Sequence, residues 1–235
     1  MTYTWKFILF IIPFLFGLNL LGEKKFHEPI ISSLEGWKIE WDPEIAESSD
    51  ATFFREIRKA LSNHFQRIKF LLTEDRVKVL QTLPIRVDKK HELSNMQYHP
   101  SRGWLETNGH DPNLAKHVHV PRAQRLLSRS QWAKHPYVIL HELAHAYHDQ
   151  ILGFDKPEVI SAFKAASDAG LYEKVLLYTG QRVKHYALTN HKEFFAESTE
   201  AYFGVNDFYP FVRAELREYD PRTFRLMEDI WGKIR

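Results

Sequence analysis

The chain has 235 residues, of which 44% are hydrophobic and 26% charged, a composition typical of one globular domain. Thirty-two basic and thirty acidic side chains leave a formal charge of +2, which disfavours a nucleic-acid partner. Cysteine is absent, which excludes disulfide bonds, thiolate metal sites and a catalytic thiol. A metal ion in this protein would therefore be held by His, Asp or Glu.

The N-terminus is typical of an export signal. Lys6 precedes an apolar run over residues 7–21, which is short for a membrane span but suits the apolar part of a secretory signal. We expect residues 1–22 to be a signal peptide or, because the cleavage site is poorly marked, an uncleaved N-terminal anchor. Residues 23–235 are then one domain that is secreted or held in the cell envelope. Contact with a membrane is expected only through the N-terminal segment.

Beyond residue 22 the patterns predict an α+β domain, in which alternating residues mark strands and amphipathic spacing marks helices. The predicted strands are residues 36–42, 84–88 and 116–121, with a hairpin over 175–188. The predicted helices are residues 50–72, 73–83, 136–153, 157–169 and 190–203. Two short helices, opened by Pro210 and Pro221, are expected to finish the chain. The segment 89–115 has weak periodicity and is predicted to be loop.

The helix predicted over residues 136–153 carries HELAHAYHDQ, in which His141, Glu142 and His145 fit the H-E-x-x-H pattern. Positions i and i+4 of a helix lie about 40° apart, so both imidazoles can reach one ion while Glu142 flanks it. Apolar residues surround the histidines, so the helix is predicted to be buried, and buried imidazoles need partners. His141 and His145 are therefore candidate zinc ligands. A plain structural helix is the alternative that the motif alone leaves open.

Two familiar spacings for a third ligand fail in this chain. The metzincin pattern would place a histidine where the chain has Ile151, and a one-zinc aminopeptidase pattern would place a glutamate at Lys164. His148 projects near the face of His141, but a third ligand from the same rigid helix would approach a tetrahedral ion under strain. The third ligand is therefore expected from another element.

A narrow acidic stripe on the helix predicted over residues 190–203 offers that ligand. Glu193, Glu197 and Glu200 span about 60° of the helix and repeat the spacing of the three motif histidines. A solvated charge face is the ordinary explanation, but large apolar residues flank this stripe on both sides, and buried carboxylates need cations or donors. We expect Glu193 to complete the zinc site and Glu197 to accept a hydrogen bond from a ligand imidazole. Glu200 is expected to pair with His148 or a nearby group.

At this point a resemblance to a known group can be stated. HELAHAYHD together with YALTNHKEFFAES resembles the gluzincin metallopeptidases related to anthrax lethal factor, which include secreted bacterial Pro-Pro endopeptidases and the Mlc titration factor family. In that group a tyrosine stands seven residues before a zinc-binding glutamate, the separation that Tyr186 and Glu193 keep here. The resemblance covers residues 141–204, and the chain departs from the group at His148 and before residue 130. Neither proline specificity nor toxin function is carried over.

The resemblance implies a zincin-like metallopeptidase fold, with a small mixed sheet, an active-site helix and a second helix that bears a ligand. The roles that it implies are Zn2+ ligands at His141, His145 and Glu193, a general base at Glu142, a transition-state donor at Tyr186 and a supporting hydrogen bond at Glu197. Two imidazoles and one carboxylate leave a coordination position for water, whose pKa zinc lowers toward about 7.

These features predict a zinc metallopeptidase of the endopeptidase type, which hydrolyses a peptide or protein substrate with Glu142 as the base. One alternative is a non-catalytic, zinc-stabilised binding domain of the envelope. Glu142 argues against it, because this residue ligates nothing and has no structural need to be acidic. Another alternative is hydrolysis of a non-protein amide, such as a cell-wall peptide, by the same residues. The spacing of the motif does not separate this alternative from a peptidase.

Three further histidines are weaker candidates for substrate contacts. His117 and His119 share one face of the strand predicted over residues 116–121, and an edge strand beside the motif helix can hold an extended peptide. His185 could help Tyr186 to bind an oxyanion. A plain surface position is the alternative for all three residues.

Overall fold

The structure, a computed structural model, describes residues 26–234. The segment predicted to be a signal peptide or anchor, residues 1–22, lies outside the described residues. Within residues 26–234, no helix is long and apolar enough to cross a membrane. The fold is α+β, as predicted, and combines a small mixed sheet with many helices.

Helices make up most of the regular structure. They are α1 (Pro43–Ala46), α2 (Ala51–Leu71), α3 (Glu74–Leu80), α4 (Arg102–Thr107), α5 (Arg129–Lys134), α6 (Val138–Tyr147), α7 (Pro157–Asp168), α8 (His191–Phe203), α9 (Arg213–Tyr219) and α10 (Pro221–Trp231). Short 3₁₀ helices cover Pro112–Leu114, Ala123–Leu127 and Tyr186–Thr189, and a π-helical turn over His148–Leu152 extends α6.

The mixed sheet comes from the first half of the chain. Among the described residues its five strands are β1 (Ile30–Leu34), β2 (Trp37–Trp41), β3 (Ile85–Val87), β4 (Gln97–Tyr98) and β5 (Val118–Val120). Their spatial order is β1-β2-β3-β5-β4, with parallel inner strands and antiparallel edges. The edge strand β4 contacts α6, so the sheet borders the helix that carries the H-E-x-x-H motif. A separate hairpin of β6 (Val175–Leu176) and β7 (Arg182–Val183) precedes α8.

Asn190 fixes the beginning of α8. Its side-chain Oδ1 accepts hydrogen bonds from the backbone N–H groups of Lys192 and Glu193, at 2.9 and 3.0 Å. These N–H groups have no partner inside the helix, and losing such a cap typically costs about 1 kcal/mol. The cap therefore places Glu193 in the first turn of α8, at a fixed position relative to the rest of the helix.

Helices α6 and α8 pack against each other in the centre of the domain. Every residue of α6 is buried, and so are residues 194–203 of α8. At the end of α8, a Cβ atom on Gly204 would lie 2.2 Å from the ring of Tyr137, which immediately precedes α6. Glycine therefore permits the end of α8 to approach the beginning of α6 this closely.

Several details of the fold differ from the sequence prediction. The pattern misses β1, and the segment 89–115, predicted to be loop, contains β4 and α4, which are too short to show a period. The hairpin is shorter than predicted because a 3₁₀ helix follows it at Tyr186–Thr189. Pro210 does not open a helix; α9 begins at Arg213, where the Glu215 carboxylate accepts hydrogen bonds from the backbone N–H groups just before the helix.

Replacing Trp231 with alanine tests how far this packing stabilises the domain. Its indole is 1% exposed, and its ring centroid lies 4.5 Å from that of Tyr147 in α6 and 5.9 Å from that of Phe195 in α8. We expect Trp231→Ala to lower the free energy of unfolding by about 3–5 kcal/mol. Phe70 is 87% exposed, and Phe70→Ala, the matched control, should change it by less than about 0.5 kcal/mol. Urea unfolding measures both variants, and equal losses would contradict this packing.

Candidate metal centre

The three side chains predicted as zinc ligands meet between α6 and α8. His145 Nε2 lies 3.1 Å from His141 Nε2 and 3.1 Å from Glu193 Oε2. His141 Nε2 lies 3.4 Å from the same Glu193 oxygen. Atoms bound at about 2.0–2.1 Å from a tetrahedral zinc ion would lie about 3.3 Å from one another. The triangle formed by these three donor atoms therefore has the size that a zinc site requires.

A hydrogen bond sets the tautomer of His141 that a ligand needs. Its Nδ1 donates to Glu200 Oε1 at 2.6 Å, so the neutral ring keeps a lone pair on Nε2, the atom that belongs to the triangle. Burial disfavours a charge on His141, but the hydrogen bonds of Glu193 and Glu200 and the charges of Glu200 and Glu142 outweigh it and raise the pKa of His141. The donor triangle therefore attracts a positive charge, which a bound cation would supply.

Glu193 is the anionic member of the triangle. Burial opposes ionisation of its carboxyl, but hydrogen bonds from His141 and His145 more than compensate and hold the pKa of Glu193 below its usual range. A carboxylate joined to two imidazoles is a donor set that catalytic zinc sites use. Both the chemistry of the donor atoms and their spacing therefore fit a zinc site.

Glu200 is the buried partner of two imidazoles. Its Oε1 accepts a hydrogen bond from His141 Nδ1 at 2.6 Å and another from His135 Nε2 at 2.7 Å. The sequence analysis expected Glu200 to pair with His148 or a nearby group, and its partners are His135 and His141. Glu197 was expected to bond to a ligand imidazole, but its Oε1 lies 3.8 Å from His141 Nδ1, beyond hydrogen-bonding distance. Glu200 therefore supports the candidate ligand in place of Glu197.

Helical geometry explains why Glu200, and not Glu197, bonds to His141. Positions 193 and 200 lie about 20° apart around a helix, so Glu193 and Glu200 both face α6. Burial raises the pKa of Glu197, and the negative charge of Glu200 adds to that rise, while the charge of His141 lowers it. Burial also opposes the charge on Glu200, but the charge and hydrogen bond of His135 and the hydrogen bond of His141 lower its pKa. Glu200 is therefore the anion beside His141.

His135, His141 and Glu200 form another group whose donor atoms lie within 4.8 Å of one another. The two separations from Glu200 Oε1, 2.6 and 2.7 Å, are those of charge-assisted hydrogen bonds and are shorter than the spacing of about 3.3 Å expected between ligands of one zinc ion. This group therefore supports the donor triangle rather than forming a second metal site.

His148 does not belong to the candidate centre. It lies two helical turns, about 10 Å along the axis, beyond His141. Its ring packs against Phe154 and Phe195, at centroid distances of 5.1 and 4.8 Å, and neither ring nitrogen has a hydrogen-bond partner within residues 26–234. Burial lowers the pKa of His148 to about 3, so this imidazole stays neutral. His148 therefore packs among apolar side chains and does not pair with Glu200, whose partners are His135 and His141.

A cavity of about 580 Å³ adjoins the donor triangle, and Glu142 and Tyr186 line it with the candidate ligands. Glu142 is 6% exposed, and burial raises the pKa of its carboxyl. Tyr186 is 48% exposed and begins the 3₁₀ helix Tyr186–Thr189. The structure therefore brings the residues predicted as base and donor to the same cavity as the candidate ligands.

His185 holds Tyr186 in place and does not line the cavity. Its Nδ1 accepts a hydrogen bond from the backbone N–H of Ala187 at 3.0 Å, which caps the 3₁₀ helix. The imidazole is 3% exposed and stacks on Phe208 with centroids 4.7 Å apart. The side chain of His185 therefore points into packed structure, and its contact with a substrate stays a prediction.

His117 and His119 do not line the cavity either, and their contacts with a substrate stay predictions. His119 lies in β5, which has β3 on one side and β4 on the other and is not an edge, and His117 immediately precedes this strand. His119 is fully buried and hydrogen-bonds with Asp88 and His99, each at 3.0 Å, while His117 Nε2 lies 3.4 Å from a Glu40 oxygen. The edge strand β4 lines the cavity instead, through Gln97 and Tyr98.

The sequence prediction missed His135 and β4. His135 precedes Pro136 in a short connection between α5 and α6, where no helical or strand period singles it out. β4 has two residues, fewer than an alternating pattern needs to be seen. The one available signal in the sequence was that His135 stands shortly before the motif helix.

Comparison with known proteins gives little beyond this geometry. Neither the protein-family models nor the curated proteins that were searched match the sequence. Among solved structures, the chain is similar to the Pro-Pro endopeptidase from Paenibacillus alvei, with 18% sequence identity and a TM-score of 0.43. The similarity covers 73% of this chain and 89% of that one. At such values the family of this chain is not established, and the resemblance to lethal factor and the Mlc family stays a prediction.

Glu200→Gln tests the support of the candidate ligand. The variant keeps an oxygen acceptor but loses the charge that holds His141 Nδ1–H, so we expect zinc affinity to fall by about 10- to 100-fold. Glu197→Gln is the matched control, since Glu197 is equally buried on the same helix but 3.8 Å from His141 Nδ1. Competition with a fluorescent zinc chelator measures both affinities. A larger loss in Glu197→Gln would restore the role that the sequence assigned to Glu197.

Proposed function

We propose that this protein is a zinc-dependent peptidase that hydrolyses peptide bonds within peptide or protein substrates. The observation that carries the proposal is the triangle of His141 Nε2, His145 Nε2 and Glu193 Oε2, with separations of 3.1 to 3.4 Å, beside the buried carboxyl of Glu142. These three residues would hold the zinc ion. When bound, zinc supplies a Lewis acid that lowers the pKa of water and polarises a carbonyl group.

Glu142 is suited to act as general base and then as general acid. Its carboxyl lines the cavity beside the donor triangle, and it does not belong to the triangle itself. Burial raises its pKa, which brings the carboxyl closer to the range in which it can both take and return a proton near neutral pH. Glu142 would accept a proton from the attacking water and deliver it to the leaving amine of the cleaved peptide bond.

Tyr186 is suited to donate a hydrogen bond to the oxyanion that develops on the carbonyl. Burial raises the pKa of its hydroxyl, so the group keeps its proton at neutral pH. The cap provided by His185 holds the 3₁₀ helix that begins at Tyr186. A donor that is already in position costs little reorganisation when charge develops.

The edge strand β4 is suited to hold the substrate. Gln97 and Tyr98 line the cavity, and an extended peptide can add to such an edge through main-chain hydrogen bonds. This placement agrees with a peptide as substrate and with cleavage inside a chain. The proposed place of action is the cell envelope or the exterior, which depends on the signal or anchor predicted for residues 1–22.

Glu142→Gln separates metal binding from catalysis. We expect the variant to retain one zinc ion per chain and to lose about 100- to 10,000-fold in turnover, because general acid–base catalysis contributes that much. Metal analysis of the purified protein and digestion of a peptide library measure the two properties. Equal activity in Glu142→Gln would contradict the mechanism. If the wild type binds zinc but cleaves no peptide, the result would favour a non-catalytic binding domain or an enzyme that acts on a non-protein amide. Incubation of the wild type with cell-wall fragments would distinguish these two alternatives.

Tyr186→Phe isolates the hydroxyl group. The variant should keep its zinc and lose about 10- to 1000-fold in kcat with little change in KM, since the donor acts mainly in the transition state. Tyr178 is also 48% exposed and does not line the cavity, so Tyr178→Phe is the matched control and should retain full activity. If Tyr186→Phe behaved like this control, Tyr186 would have no part in the reaction.

A further inference from the structure

One wall of the cavity is basic. Arg125 from the 3₁₀ helix Ala123–Leu127 and Gln131 and Lys134 from α5 line the same cavity as the donor triangle. We call these three residues the basic wall. α5 ends at Lys134 and α6 begins at Val138, so Lys134 is close in sequence to the start of the motif helix.

Arg125 is the cation of the basic wall whose side chain has no partner among the described residues. Its side chain is half-buried, and within residues 26–234 its guanidinium makes no hydrogen bond or ion pair. A guanidinium has five N–H donors in a planar fork, and it loses solvation when it is partly buried. This geometry matches the two oxygens of a carboxylate, which the fork can bind with paired hydrogen bonds.

The other cations of the cavity are already engaged. Lys134 Nζ lies 3.9 Å from Asp207 Oδ2, and Lys192 Nζ lies 4.2 Å from the ring centroid of Phe154. Among the lysines and arginines that line the cavity within the described residues, Arg125 is therefore the one whose charge is left for an incoming group.

The carboxylates of the cavity do not neutralise Arg125. Glu193 is bonded to the ligand imidazoles, Glu197 lies 3.8 Å from His141 Nδ1, and Asp207 faces Lys134. Glu142 lies next to His141 in α6 and makes no ion pair with Arg125. The charge of Arg125 is a local feature, because the whole chain is nearly neutral at a formal +2.

We propose that Arg125, assisted by Gln131 and Lys134, binds a carboxylate of the substrate next to the donor triangle. This inference rests on the proposed peptidase function and names its substrate class, a peptide that carries a carboxylate near the cleaved bond. The carboxylate is an Asp or Glu side chain or, if the enzyme removes C-terminal residues instead of cleaving inside a chain, the C-terminus of the substrate. Gln131 can donate an additional hydrogen bond, and Lys134 adds positive charge at the same wall.

Matched peptide pairs test the inference. One set takes peptides that the wild type cleaves and replaces each Glu or Asp with Gln or Asn; the other compares a free C-terminus with its amide. We expect kcat/KM to be roughly 10- to 100-fold higher for the acid in one of the two sets, as for a hydrogen-bonded charge pair. A preference in the first set identifies a side-chain carboxylate, and one in the second set identifies the C-terminus.

Three variants assign this preference to Arg125. Arg125→Gln should reduce the preference for the acid to near unity, and Arg125→Lys should restore part of it, since lysine keeps the charge without the fork. Arg129 is exposed on α5 and does not line the cavity, so Arg129→Gln is the matched control and should keep the full preference. An unchanged preference in Arg125→Gln, or its equal loss in Arg129→Gln, would overturn the assignment.

The outcomes separate this inference from the proposed function. If the wild type cleaves acid and amide peptides equally well, the carboxylate site is wrong and the peptidase stands. If the wild type cleaves no peptide, the peptidase proposal fails, and calorimetric binding of the same pairs to the zinc-loaded wild type decides the remaining question. The carboxylate site is then supported if the wild type binds the acid more tightly than its neutral partner and Arg125→Gln does not. Equal binding of acid and neutral peptide by the wild type overturns it.

Discussion

The packing of α6 against α8 is the interaction on which the candidate centre depends. One helix supplies His141 and His145, the other supplies Glu193, and the buried carboxylate of Glu200 joins them through His141 Nδ1 at 2.6 Å. Side chains on packed helices can hold a ligand geometry more closely than side chains on loops. The same contact that buries apolar surface therefore sets the size of the donor triangle.

This packing takes charged groups out of water, and such groups are stable only when they have hydrogen-bond or ion-pair partners. Glu200 is fully buried and is satisfied at one oxygen by two imidazoles. Removing one partner of such a group typically costs several kcal/mol, far more than losing an exposed ion pair. The electrostatic pairing and the hydrophobic packing therefore support each other, and a metal ion would add to the pairing at the donor triangle.

Local patterns were enough to predict the elements that carry the centre. The H-E-x-x-H spacing, the helix cap at Asn190 and the spacing from Tyr186 to Glu193 all depend on residues close in sequence, and the structure places these residues together. The sequence did not predict which glutamate meets His141, because a stripe of three carboxylates gives direction but not the distance between helices. The spacing placed His148 near the face of His141 but did not show that its ring packs against Phe154 and Phe195. His135 and the edge strand β4 reach the cavity through tertiary contacts that no local period records.

Anomalous diffraction at the zinc edge, from crystals of the zinc-loaded protein, tests the centre most directly. The geometry predicts one strong peak about 2.0–2.1 Å from His141 Nε2, His145 Nε2 and an oxygen of Glu193, with His141 Nδ1 still bonded to Glu200. A peak at His91, Glu92 and His110, another group whose donor atoms lie within 4.8 Å, would contradict the assignment. The absence of any peak between α6 and α8 would contradict it equally.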